Sequence, residues 1–104
     1  MDTVALFVRL QARKGKEAEV EKFLKDALTE VQNELETSTW YAFRIDASTY
    51  GIFDSFPDDK GREAHLSGKL AKKLMEKSPE LFVQAPVVDK LDLLAIKMPE
   101  VVQY

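Results

Sequence analysis

Cysteine is missing from all 104 residues, which excludes disulfides, thiolate metal sites and cysteine nucleophiles. Histidine and tryptophan occur once each, as His65 and Trp40, and glycine and proline only four times each. No glycine-rich phosphate loop can be found, no second histidine supports a Ser-His-Asp grouping, and one imidazole among scattered acids is too little for zinc or iron. Long apolar runs are absent too: none approaches the roughly 20 residues that span a bilayer. The start, Met-Asp-Thr-Val-Ala, lacks the basic stretch and cleavage site of a secretion signal. These absences together lead to the expectation of a cytoplasmic protein with no membrane partner. Positive charge is not in excess either: 15 basic against 18 acidic residues leave a net charge of -3. Nucleic-acid binders need clustered cations to displace phosphate counterions, so no nucleic-acid partner is expected. Lys69, Lys72, Lys73 and Lys77 do crowd one stretch, but Glu63, Glu76 and Glu80 interleave or adjoin it, which reads as a solvated helix face.

What is present is 45% hydrophobic residues with six Phe, enough for one small core in one domain, residues 1–104. Its core is expected over 3–97, with a tail over 98–104. A chain this short leaves much apolar surface exposed, and pairing with a second copy is the natural remedy. Val4 to Ala12 alternates as a strand does, with Val4, Leu6, Val8 and Leu10 on one face. Gly15 suits the turn into a helix. The spacing of Val20, Phe23, Leu24, Ala27, Leu28, Val31 and Leu35 predicts an amphipathic helix over 16–36. Two further strands, 39–46 and 49–56, read as a hairpin about Ala47-Ser48. With Asp46 opposite Thr49, Tyr41 faces Asp54 and Phe43 faces Ile52. That register collects Tyr41, Phe43, Tyr50, Ile52, Asp54 and Phe56 on one side; a one-residue slip would reverse the grouping.

Pro57-Asp58 opens a short helix through Leu66, and Ser67 is positioned to cap another with Leu70, Ala71, Leu74 and Met75 inward. Ser78-Pro79-Glu80 repeats the cap-then-proline signature for a last separate turn. A final strand is expected over 87–97, apolar on both faces toward its end and therefore covered on both. Strand, helix, strand, strand, helices, strand, with helices on one face, is an α+β, ferredoxin-like β-α-β-β-α-β arrangement with an antiparallel sheet. The large apolar side chains on its open face imply a symmetric homodimer. The tail from Met98 to Tyr104 either crosses to the partner or is mobile.

The most informative segment runs from Tyr50 to Leu66: an aromatic strand carries the acid Asp54 between Phe53 and Phe56, and His65 follows nine residues after Phe56. With Arg13-Lys14-Gly15-Lys16-Glu17 before the first helix, Phe53-Asp54-Ser55-Phe56 and Ala64-His65-Leu66 give the chain its resemblance to the antibiotic biosynthesis monooxygenase domain family, in the dimeric α+β barrel superfamily. That family shows an aromatic, then Glu, any residue and Trp; here Asp54 replaces the Glu and Phe56 the Trp, while the step to His65 is kept. The resemblance implies either an oxygenase acting on a small phenol or quinol without a tightly bound cofactor, or a non-catalytic dimer that binds a small hydrophobic, aromatic ligand. Heme degraders match less well, because their strand-one Asn falls on Val8 and their iron-ligating His on Leu74, and aliphatic side chains offer no lone pair.

Each candidate residue has two readings. His65, alone in titrating near neutrality, either takes a phenolic proton or hydrogen-bonds within the Leu66-Ser67-Gly68 helix junction. Asp54, unusual in mid-strand, either polarises His65 or accepts a substrate hydroxyl, or else pairs with Arg9, Arg44 or Arg62 or simply faces solvent near the sheet's end. Arg44 either stabilises a substrate anion or forms a structural ion pair. Trp40, Tyr41, Phe43 and Phe56 are either walls of a slot for a planar substrate or parts of the core and dimer interface.

Overall fold

The computed structural model describes residues 1–99. Its elements are β1 (Val4–Gln11), α1 (Glu17–Val31), β2 (Thr39–Arg44), β3 (Thr49–Phe56), α2 (Asp59–Leu66), α3 (Lys69–Leu81) and β4 (Val87–Asp92). The four strands form one antiparallel sheet in the order β2-β3-β1-β4. This is the ferredoxin-like α+β arrangement, its second helix split into α2 and α3. Gly15, at φ +86°, makes the left-handed turn between β1 and α1.

The core lies between the sheet and the helices. Leu10, Tyr50, Phe82 and Val20 are at most 1% exposed, and Leu24, Val8, Ile52 and Leu81 pack with them. Each such aliphatic or aromatic side chain contributes about 1.5–3 kcal/mol on burial. On the other side of the sheet, Tyr41 and Phe43 are exposed and Phe7 and Phe53 half-buried, with Phe7 stacked on Phe43 at 6.1 Å.

The hairpin register differs from the sequence expectation by one residue. Trp40 pairs with Asp54, Tyr41 with Phe53, Ala42 with Ile52 and Phe43 with Gly51. Tyr50, Ile52, Asp54 and Phe56 therefore share the helix-facing side with Trp40 and Arg44, while Tyr41 and Phe43 lie on the open side. The physical reason is Asp46, whose carboxylate accepts the N–H groups of Ser48 at 3.1 Å and Thr49 at 2.9 Å. That capping draws Asp46 into the turn, so the loop is longer by one than Ala47-Ser48.

Other boundaries also move. Helix α1 ends at Val31, short of Glu36, and Leu35 stands 97% exposed in tight turns instead of completing the apolar stripe. Ser67 closes α2 by donating to the Glu63 carbonyl at 2.9 Å; the residue before α3 is Gly68, with no side-chain cap. Met75 faces outward, 57% exposed. Pro79 does not begin a separate turn but lies inside α3. Its missing N–H falls near the helix end, and the last turn is held from outside: Arg13 Nε donates to the Pro79 carbonyl at 3.1 Å, and the Arg13 N–H to Leu81 at 2.8 Å. Strand β4 stops at Asp92 rather than Lys97, because Asp92 already pairs with Val4, where β1 begins. Leu94 is consequently 96% exposed. Most of the 98–104 tail lies outside the described residues.

Candidate functional site

Helix α2 is fixed to the sheet before it presents anything. Asp58 caps it by accepting the Gly61 N–H at 2.9 Å. Arg62, 8% exposed, reaches back to the carbonyls of Ala5 at 3.3 Å and Leu91 at 3.2 Å while pairing with Asp59 at 2.7 Å. One turn later His65 projects over β3, whose period-two alternation aims Asp54 and Phe56 at it together. The Phe56 and His65 rings are 5.4 Å apart. His65 Nε2 lies 3.0 Å from an oxygen of Asp54, which is fully enclosed. The alignment is too poor for a hydrogen bond, so both Asp54 oxygens are left without one.

On its other edge, His65 Nδ1 contacts the carboxylate of Glu34, which also accepts the Thr37 hydroxyl at 2.8 Å. The imidazole thus stands between two acids. Burial raises Asp54 above the ordinary carboxylate range, with the facing His65 opposing that shift. For His65 burial works downward, but Asp54 and Glu34 outweigh it and raise the imidazole above its usual value. The two ring nitrogens point in opposite directions, so the acids do not converge on one cation, and among the described residues no group of three or more His, Asp or Glu is arranged to hold a metal.

Trp40 sits opposite Asp54 on the same sheet face, and its indole N–H is likewise enclosed without a partner. Arg44 is not brought to this cluster. It lies exposed at the far end of β2, with Nε 3.8 Å from Glu21, which also accepts the Tyr50 hydroxyl at 2.7 Å. Burial, then the bond to Glu21, pushes Tyr50 up to about 12, so it stays protonated. A cleft of about 540 Å³ between α1 and β2 is lined by Leu24, Leu28, Trp40, Arg44 and Tyr50. Tyr41 and Phe43, pointing to the open side, reach it only along the β2 edge. A second cleft, about 490 Å³, borders Glu34, His65 and Lys69. Sequence reasoning missed Glu34. Nothing in spacing links it to His65, and the apolar stripe places it inside a helix that in fact ends before it.

Chemically, a carboxylate, an imidazole and a second carboxylate stand in contact as one chain, hydrogen-bonded between Glu34 and His65 and in ion-pair contact between His65 and Asp54. Its inner end is enclosed and its outer end stands at an open cleft.

Against known structures, the chain is 43% identical to the NE2512 protein of unknown function from Nitrosomonas europaea, covering 96% of this chain and 97% of that one with a TM-score of 0.93. The chain belongs to the NE2512 family. It also matches a candidate antibiotic biosynthesis monooxygenase from Caulobacter crescentus, 20% identical over 90% of this chain and 92% of that one, TM-score 0.78. PA3566 from Pseudomonas aeruginosa is similar in the same degree: 18% identity, 91% and 97% coverage, TM-score 0.78. The fold of the NE2512 family is thus the fold of antibiotic biosynthesis monooxygenases. No protein-family model and no curated protein sequence matches the chain. Among the described residues, no helix is long and apolar enough to cross a membrane.

Proposed function

We propose that this protein is a homodimeric, cytoplasmic monooxygenase that needs no tightly bound cofactor and acts on a small electron-rich phenol or quinol. One observation carries the reading: two enclosed polar groups face the helices from directly paired positions, Trp40 Nε1 with no hydrogen-bond partner and the Asp54 carboxylate with only the misaligned His65 Nε2 at 3.0 Å. Roughly nine in ten buried polar groups have partners. A phenolic hydroxyl would serve both, accepting from the indole N–H and donating to the carboxylate. Asp54, a stronger base than an ordinary carboxylate because of its burial, takes the proton, and His65 stabilises and relays it. Phe56 and Trp40 wall the ring. Arg44 supplies an orienting charge at the far end of the cleft, and Tyr41 and Phe43 form its outer rim.

The phenolate then reduces dioxygen in a site from which water is excluded. For a hydroquinone the balance is hydroquinone plus dioxygen to hydroxyquinone plus water. One oxygen atom enters the ring, the other leaves as water, and the substrate supplies all four electrons. The exposed Tyr41 and Phe43, with the half-buried Phe7 and Phe53, support the dimer, because a second sheet would cover them.

Oxygen uptake with naphthols and hydroquinones tests this. Wild type is expected to consume oxygen, and His65→Ala to lose about 100-fold or more of the turnover while still binding substrate. A second reading is a binder of small aromatic molecules without turnover. It is favoured by the separation of the aromatic cleft from His65, which does not line it. Saturable binding with no oxygen consumption by wild type would establish that reading instead.

A further inference from the structure

We propose that Glu34 is a positioning residue: it fixes the His65 ring with Nδ1–H toward itself and Nε2 toward Asp54, and joins the enclosed acid to the open cleft beyond α1. This deepens the monooxygenase reading and rests on it for its catalytic consequence.

Local preference and global structure conflict where α1 ends. The apolar stripe of α1 continues to Leu35, and a helix obeying it would add Leu35 to the buried row. The chain instead leaves the helix at Val31 and exposes Leu35 almost fully. Tight turns replace the helix, with the Glu34 N–H bonded to Val31 at 2.8 Å and the Thr37 N–H to Glu34 at 3.2 Å. The result is that the Glu34 carboxylate turns inward, accepts the Thr37 hydroxyl, and meets His65. Departures of this kind from local preference concentrate at functional sites.

The three groups also differ in enclosure along the chain. The Asp54 side chain is 0% exposed, His65 9% and Glu34 22%, so the last is the group most open to proton exchange with bulk water. An imidazole held at Nδ1 by a carboxylate presents a defined Nε2 to the group beyond it, whereas an unanchored ring samples both tautomers. The charged groups around His65 are Asp54 on β3, Glu34 and Glu36 after α1, Glu30 on α1, Lys69 on α3, and Arg62 on its own helix. Lys69 is at the cleft rim, and Arg62 is taken up by two carbonyls and Asp59.

Because His65 is the only histidine, its imidazole resonances can be read without assignment ambiguity. In a ¹⁵N-detected titration, wild type is expected to give the Nδ1–H form on deprotonation. Glu34→Gln should lower the titration midpoint by about one unit, in the range that removal of an adjacent charge produces. Thr37→Val, which only loosens the anchor, should give a smaller shift in the same direction and a mixture of tautomers. An unchanged midpoint and tautomer in folded Glu34→Gln would overturn the proposal. Where wild type turns substrate over, Glu34→Gln should reduce kcat about tenfold or more with KM little changed, since a positioned acid–base group contributes on the order of 10²–10⁴. A loss confined to KM would also overturn it. No oxygen uptake by wild type would sink the monooxygenase reading alone, leaving the titration to decide the role of Glu34.

Discussion

His65 carries a pH signature that belongs to the single side chain. Its native value is raised above the 6.5 expected of the unfolded chain, so the folded state holds the proton more firmly. Below about pH 6.5 both states are protonated and the contribution to stability is complete. It is lost as pH rises through the native value. Thermal unfolding is therefore expected to show a Tm that falls above neutrality in wild type and falls less in His65→Gln, measured at matched ionic strength. An equal decline in both proteins would mean that the two acids do not hold the ring. The residue types of this cluster were partly legible in the sequence. His65 and Asp54 stand out because each is rare in its setting, whereas Glu34 is one of many acids on an exposed-looking helix.

The elements show where periodicity informs and where it misleads. Leu24 and Leu35 belong to one sequence pattern, yet Leu24 is 5% exposed and Leu35 97%. Leu24→Ala is expected to cost about 2–5 kcal/mol in chemical denaturation, and Leu35→Ala within about 0.5 kcal/mol of zero. Comparable costs would mean that α1 runs on as its stripe suggests. Strand β3 was readable to the residue, since its aromatic and branched side chains are bounded by a turn and by Pro57. Its register against β2 was not, because a carboxylate cap on Ser48 and Thr49 sets the loop length. That one residue decides which aromatics join Asp54. From β2, Trp40 does and Tyr41 and Phe43 do not; Phe56 shares the Asp54 face through alternation within β3.

For the whole molecule, the sheet has one face roofed by helices and another on which Tyr41 and Phe43 stand exposed. Phe43 stacks on Phe7 there, above Gly51, where an added Cβ would come within 2.5 Å of the Phe43 ring. The proposed dimer predicts that the protein sediments at twice its monomer mass of 11.8 kDa, and that Phe43→Asp converts it to a folded monomer with unchanged far-ultraviolet dichroism. Sedimentation of wild type as a monomer at high concentration would remove the dimer from the proposal.

The order of strands and helices follows from the sequence alone, because alternation with period two and recurrence at three and four residues are local properties that backbone geometry enforces. So does the layered α+β arrangement, because one apolar face per element leaves few ways to bury it. Three things were decided only in the tertiary structure: the hairpin register, the early end of α1, and the meeting of Glu34, His65 and Asp54. Each depends on contacts between side chains distant in sequence or on a capping bond whose strength the local pattern does not encode. The physical reason is that a carboxylate's position is set by what it can pair with, and its partner here is supplied by another element.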